Sequence, residues 1–271
     1  MRRSLKSRFT RFLPALLLIA AAAPARAGIH YKATSTTETP QGPQRMNVEA
    51  WVDGDKARIE FRSSDNPFMK RGTYILTRDG GRKILLVDPD EKTYGELDLA
   101  AMLGSMGALL GGMGPVLKLE ISDPKVEKLS EEDGPEIVGL PTRHVKFRTA
   151  YQMKMKIMGF GRATSVVSEE DLWLSDRLVD KAMGVWLQAE RKTGNPDLDK
   201  LIATERSKVT GIPLKTASVV TSTGNGRSAT THQSMEVTAL DRFTAAPVSF
   251  DVPAGFKERE MTPDLTPPSE R

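Results

Sequence analysis

The chain has 271 residues, with 39 basic and 35 acidic side chains and no cysteine. A chain without cysteine has no disulfide, no thiolate metal site and no thiol redox chemistry, and it cannot carry a lipid on an N-terminal thiol. The length suits one large domain or two small ones.

The N-terminal stretch has the three parts of a secretory signal peptide. Five basic residues precede an apolar run at 12–23, and an Ala-Arg-Ala sequence follows at 25–27. We expect cleavage after Ala27 and a periplasmic location; an uncleaved N-terminal anchor is the alternative. Six of the 39 basic residues lie in 1–27, so 33 remain against 35 acidic residues. The exported chain would be nearly neutral, which argues against a nucleic-acid partner.

Short alternating runs separated by tight turns fill the next part of the chain. Asp53-Gly54-Asp55 between two such runs is a strong hairpin signal. The pattern favours an antiparallel sheet over βαβ units. It predicts strands at 28–39, 46–52, 57–61, 73–77, 83–87 and 93–94.

The segment 99–117 carries no charge, but five glycines and Pro115 interrupt it. Glycine disfavours a helix by about 1 kcal/mol per position relative to alanine, so we expect a short helix at about 99–110. A transmembrane span is the alternative reading. The helix would either cap a filled core or act as a movable lid that contacts a ligand through Leu103, Met106 and Leu110.

The segment 143–158 has the clearest pattern in the chain. Apolar and polar side chains alternate, which predicts a long strand with one apolar and one basic face. A strand of this length has to curve or cross a bulge. The apolar face carries Val145, Phe147, Thr149, Tyr151, Met153, Met155 and Ile157. The basic face carries His144, Lys146, Arg148, Lys154 and Lys156.

The basic face has two interpretations. It is either a solvated sheet face that the acidic residues 169–171 balance across the strands, or a surface attracted to anionic lipid head groups.

The rest of the chain predicts further strands and two helices. The first helix, at about 176–192, has an apolar stripe that includes Trp186, and the second begins at Asn195-Pro196. Strands are expected at 116–121, 125–129, 162–167, 171–174, 215–223, 228–240 and 250–256, with a polar loop at 130–135. The charged, proline-rich stretch 258–271 is expected to be disordered.

Several motifs together resemble a known family. They are the 52–60 hairpin (Val-Asp-Gly-Asp-Lys-Ala-Arg-Ile-Glu), Leu-Val-Asp-Pro-Asp-Glu-Lys-Thr-Tyr at 86–94, Gly-x-Pro turns at 139 and 211, and Phe-Asp-Val-Pro-Ala-Gly-Phe at 250–256. In this order they resemble exported bacterial proteins of the domain-of-unknown-function family 4412, which is itself similar to the Lol lipoprotein carriers. The resemblance implies an unclosed, curved antiparallel half-barrel whose concave face is covered by helices and holds acyl chains.

No motif points to catalysis or to a cofactor. The three histidines, His30, His144 and His232, lie far apart in sequence, and none has a ligand-spaced neighbour, so we expect no metal site. Gly104-Ser105-Met106-Gly107 lacks the first glycine of a nucleophile elbow. An enzyme whose catalytic groups converge from distant loops stays an alternative.

The sequence therefore predicts an α+β, β-dominated fold: a strongly curved, unclosed antiparallel sheet with helices covering its concave face. A single domain at 28–257 would hold a lipid, an acyl chain or a lipidated protein in an apolar cleft. The predicted cleft residues are Val145, Phe147, Tyr151, Met153, Met155, Ile157 and Trp186, with Leu103, Met106 and Leu110 as the lid. A protein-interaction module with a filled core is the second reading.

Overall fold

The computed structural model describes residues 28–39, 42–65, 69–97, 117–157, 160–178 and 196–259. In the described ranges twelve strands form one sheet, which is unclosed because the strands at 257–258 and 117–137 lie at its two edges. The strands are numbered in chain order: β1 at 28–39, β2 at 42–53, β3 at 56–64, β4 at 74–77, β5 at 85–88, β6 at 93–96, β7 at 117–137, β8 at 140–157, β9 at 160–175, β10 at 212–224, β11 at 227–243 and β12 at 257–258. Their order in the sheet is β12-β6-β5-β4-β3-β2-β1-β11-β10-β9-β8-β7. All neighbouring strands pair antiparallel except β12 with β6. The prediction of a β-dominated, unclosed sheet is confirmed.

The first six strands follow the predicted alternating runs closely. They are β1 (Gly28–Thr39), β2 (Gly42–Asp53), β3 (Lys56–Ser64), β4 (Tyr74–Thr77), β5 (Leu85–Asp88) and β6 (Thr93–Glu96). Period-two alternation and Asp-Gly turn chemistry are local signals, so they fix these elements without reference to the rest of the chain.

The next three strands are longer than predicted: β7 (Leu117–Ile137), β8 (Leu140–Ile157) and β9 (Phe160–Ser175). The predicted polar loop at 130–135 is wrong, because these residues continue β7 and pair with β8. The polar composition has a different cause: β7 is an edge strand, and charged residues and bulges keep an edge from pairing with other chains.

The C-terminal part contains α1 (Pro196–Arg206), β10 (Ile212–Gly224), β11 (Arg227–Phe243) and β12 (Lys257–Glu258). The helix predicted to begin at Pro196 is confirmed. The predicted helices at 99–110 and 176–192 lie outside the described residues, apart from 176–178, which form a turn. In the described ranges one short helix is found, so the expected covering of the concave face by helices is not supported.

Helix α1 protects the edge of the sheet. The Asp197 carboxylate accepts a hydrogen bond from the backbone N–H of Ile121 at 3.4 Å, and the Lys208 ammonium donates to the carbonyl of Val126 at 2.5 Å. Ile121 and Val126 belong to β7, which among the described strands is paired on one side only. These two bonds therefore satisfy backbone groups that an edge strand leaves open.

The two faces of the sheet bury different clusters. We call the face that carries Ile29, Tyr31 and Ala33 the core face, and the other the outer face. Strand register places Ala50 and Ile59 on the core face as well, and all five side chains belong to one buried cluster.

A second cluster lies on the outer face, where Tyr74, Leu76 and Val87 are covered by Val252 and Phe256. The predicted edge strand at 250–256 is wrong, because these residues form turns and irregular backbone and β12 begins only at Lys257. The segment packs instead on the outer face of β4–β6. Glu258 and Arg259, inside the predicted tail, are described: Glu258 lies in β12, and Arg259 forms an ion pair with Glu91.

No helix in the described part of the chain is long and apolar enough to cross a membrane. A transmembrane span was the alternative interpretation of the segment 99–117. Residues 99–116 of this segment lie outside the described residues, and residue 117 begins β7.

Candidate functional site

The alternation predicted for the long strand is present in β8. Val145, Phe147 and Thr149 on the core face are 2%, 5% and 5% exposed, whereas Tyr151 and Met153 on the same face are half-buried. The apolar face of β8 therefore changes along its length from fully buried to partly exposed to solvent.

The buried end of this face is filled. Val145 and Phe147 pack in one cluster with Leu172 and Leu174 of β9, and Val209 packs against the cluster. Strand register explains the grouping, since Val145 lies directly opposite Leu172. Val145 and Phe147 are therefore core residues of the sheet, and their contact with a ligand stays a prediction.

The open end is an apolar patch that we call the half-buried strip: Ile121, Tyr151, Met153 and Val166. Tyr151 lies opposite Val166 of β9, and Met153 lies opposite Ile121 of β7, so the four share the core face. Val166 is 4% exposed and the other three are half-buried. Three neighbouring strands thus present apolar side chains side by side, partly open to solvent.

Helix α1 flanks this strip. Burial raises the pKa of the Tyr151 hydroxyl, and the negative charge of Glu205 on α1 adds to the rise. The phenol therefore stays protonated at neutral pH and can donate a hydrogen bond. Leu201 of α1 is buried with 4% exposure, so the helix also contributes to the core beside its bonds to β7.

The remaining predicted site residues lie wholly or in part outside the described residues. Met155 and Ile157 continue the backbone of β8, where they pair with Arg162 and Phe160, but their side chains lie outside the described set. Leu103, Met106, Leu110 and Trp186 also lie outside the described residues. Of the ten predicted cleft and lid residues, four have described side chains on the core face of β8: Val145 and Phe147 in the packed cluster, and Tyr151 and Met153 in the half-buried strip.

Sequence reasoning missed three residues on the neighbouring elements: Ile121 on β7, Val166 on β9 and Val209 after α1. No local sequence pattern identifies Val166 as a neighbour of the cleft, since only the strand register with β8 places it opposite Tyr151. A helical stripe through Leu201 was the one signal available for the α1 side.

The basic face of β8 has acidic partners. The Lys146 ammonium lies 3.6 Å from Asp171 and 3.9 Å from Glu169, both on β9. Glu170 points to the core face, opposite Phe147. The expected cross-strand balance is confirmed for Lys146, which favours the solvated-face interpretation over a lipid head-group surface there.

Two histidines on the outer face share one arrangement. His30 stacks on Trp51 and bonds to Glu49 at 2.8 Å, and His144 stacks on Trp173 and bonds to Asp171 at 2.8 Å. His232 is exposed on β11. Within the described ranges no three His, Asp or Glu side chains are grouped so as to hold a metal ion.

Solved structures to which the chain is similar include the following two. A LolA superfamily protein from Nitrosomonas europaea shares 10% identity, with a TM-score of 0.29 over 83% of this chain and 89% of that chain. A domain described as an outer membrane lipoprotein-sorting protein, from Vibrio parahaemolyticus, shares 11% identity, with a TM-score of 0.29 over 79% and 85%. No family model matches the chain, and no curated protein does either.

Proposed function

We propose that this protein is a non-enzymatic binding protein of the cell envelope that holds a hydrophobic ligand on the core face of its sheet. The ligand is a lipid, an acyl chain or a lipidated protein. The observation that carries the proposal is the half-buried strip, where apolar side chains from β7, β8 and β9 lie together and stay partly open.

Ligand burial on this strip would be favourable. Covering apolar surface contributes about 25 cal/mol per Å², or about 0.8 kcal/mol per methylene of an acyl chain. A polar substrate would gain nothing from Ile121, Met153 and Val166. Further along the same face of β8, beyond Thr149, lies the packed cluster of Val145 and Phe147.

The envelope location rests on the sequence of residues 1–27. Detection of Gly28 as the N-terminus of the exported protein would test the cleavage, and an N-terminus at Met1 would contradict it.

The first experiment asks whether the protein carries lipid. We expect solvent extraction of protein purified from its native envelope to release a lipid that mass spectrometry detects in stoichiometric amount. We also expect a fluorescent fatty acid to bind the delipidated protein. Recovery of no lipid together with no binding of the probe would reject the proposal.

A matched pair of variants then locates the site. Met153→Glu places a charge in the strip, and Gln152→Glu places the same charge one residue away on the exposed outer face. Burying an unpaired carboxylate beside an acyl chain is strongly unfavourable, so Met153→Glu should weaken probe binding at least tenfold, while Gln152→Glu leaves it unchanged. Equal affinities of the two variants would exclude the strip as the binding surface.

The second candidate is an envelope module that binds a protein partner. The filled cluster around Val145 and Phe147 favours it, because a packed core leaves that end of the face without room for a ligand. Co-purification of one stoichiometric protein, with no extracted lipid, would support this function over lipid binding.

A further inference from the structure

Positive charge is concentrated where β8 turns back into β9. We call the strand ends that meet there the hairpin end: residues 117–121, 153–157 and 160–163. They contain four basic residues, Lys118, Lys154, Lys156 and Arg162, and one acidic residue, Glu120. The exported chain as a whole would carry slightly more acidic than basic residues. The hairpin end is therefore a basic region of a nearly neutral protein.

The strand register treats the basic residues of β8 differently along its length. In the middle of the strand, Arg148 lies opposite Glu127 on β7 and Glu169 on β9. Near the hairpin end, Lys156 lies opposite Lys118 on β7, and its partner on β9 is a glycine. Like charges directly opposite each other destabilise an antiparallel pair. An anionic partner lying against the hairpin end would offset this repulsion.

The core face of the same hairpin end is apolar by position. The half-buried strip ends at the pair of Met153 with Ile121, and register places two further apolar pairs between it and the turn: Met155 with Leu119, and Ile157 with Leu117. Four residues of extended chain span about 13 Å. A hydrocarbon chain therefore has an apolar path of about this length from the strip to the hairpin end. Basic residues beside apolar ones are the combination that binds anionic lipid surfaces.

We propose that the hairpin end docks on an anionic lipid bilayer and that the ligand enters and leaves the half-buried strip there. Lys118, Lys154 and Lys156 lie against the head-group phosphates, and the apolar pairs at 117–157 and 119–155 face the hydrocarbon. This inference rests on the proposed function and names the surface with which the site exchanges its ligand. A bilayer fits better than an acidic protein, because the apolar path of a lipid-binding strip leads to the same end.

The first experiment measures binding of the full exported chain to vesicles by co-sedimentation. The vesicles consist of phosphatidylcholine alone or of phosphatidylcholine mixed with phosphatidylglycerol. The test variant combines Lys154→Gln with Lys156→Gln. The control combines Lys56→Gln with Lys257→Gln, which removes the same charge from exposed positions at the start of β3 and on the opposite edge of the sheet.

The native protein should bind the vesicles with phosphatidylglycerol more tightly than those without it. Each lysine near an anionic surface contributes about fivefold in affinity, so the test variant should lose about 25-fold and the control less than about twofold. Equal losses in both double variants would show that binding follows total charge, and would overturn the assignment. Equal binding of the native protein to both kinds of vesicle would overturn it as well.

The second experiment asks which part of the chain meets the bilayer. Because the chain has no cysteine, a single introduced cysteine can carry an environment-sensitive nitrobenzoxadiazole label. The label at Ile157→Cys should shift its emission to shorter wavelength when vesicles with phosphatidylglycerol are added. The label at His232→Cys, an exposed position on β11, should not respond. Equal responses at the two positions would contradict docking through the hairpin end.

The fluorescent fatty acid separates this inference from the proposed function. Native protein that binds the fatty acid in solution but binds neither kind of vesicle would overturn the docking surface and leave the proposed function intact. Native protein that binds neither the fatty acid nor the vesicles would remove both.

Discussion

Replacing Phe147 by alanine tests whether the buried end of the β8 face is packed or open. The ring is 5% exposed and belongs to the cluster with Val145, Leu172 and Leu174. Removing a fully buried Phe loses the transfer free energy of the ring, about 1.5–3 kcal/mol, and leaves a cavity. The two effects together lower the free energy of unfolding by about 3–5 kcal/mol.

The measurement is guanidinium unfolding followed by tryptophan fluorescence, which Trp173 can report because it lies on β9 between Leu172 and Leu174 of this cluster. Phe147→Leu is the control and should cost less than about 1.5 kcal/mol, since it keeps most of the volume. The slope of free energy against denaturant should stay unchanged in both variants. A loss below about 1 kcal/mol for Phe147→Ala would refute the packed interpretation and return Phe147 to the lining of an open cleft.

Two further predictions concern backbone and charge. Gly211 and Gly139 both have positive φ, at 90° and 76°, but an added Cβ at Gly211 would meet a backbone oxygen at 3.0 Å, whereas at Gly139 it meets nothing within 4 Å. Gly139→Ala should therefore lower the free energy of unfolding by about 1–2 kcal/mol, the cost of the positive φ alone. Gly211→Ala should lower it by at least about 1 kcal/mol more, because its Cβ also clashes. Thermal unfolding measures both variants, and equal midpoints would contradict this prediction. For Glu49, burial raises the pKa, but hydrogen bonds from His30 and Arg62 outweigh it and hold the pKa below 4.5. A carboxyl group whose pKa is lowered by folding stabilises the fold above about pH 4.5, and this stabilisation is lost as the pH falls through the pKa of the folded state. The difference in unfolding free energy between the native protein and Glu49→Gln should therefore shrink between about pH 5.5 and about pH 3. A difference that stays constant over this range in urea unfolding would show that the carboxylate is not stabilised in the folded state.

The sequence by itself determined the local elements. Alternation over 143–157 predicted β8 and its two faces, and the Asp53-Gly54 turn predicted the β2–β3 hairpin, because side-chain period and turn chemistry depend only on neighbouring residues. The same local reading failed at 130–135, where the charged residues of an edge strand have the composition of a loop.

Which side chains meet was decided by the tertiary structure. Pairing between strands far apart in sequence set the twelve-strand order, joined Tyr151 to Val166 and Met153 to Ile121, and filled the space around Phe147. It also left the buried Tyr31 hydroxyl without a hydrogen-bond partner among the described residues. None of these follows from periodicity, because a period of two assigns a residue to a face but does not say which distant strand lies beside it.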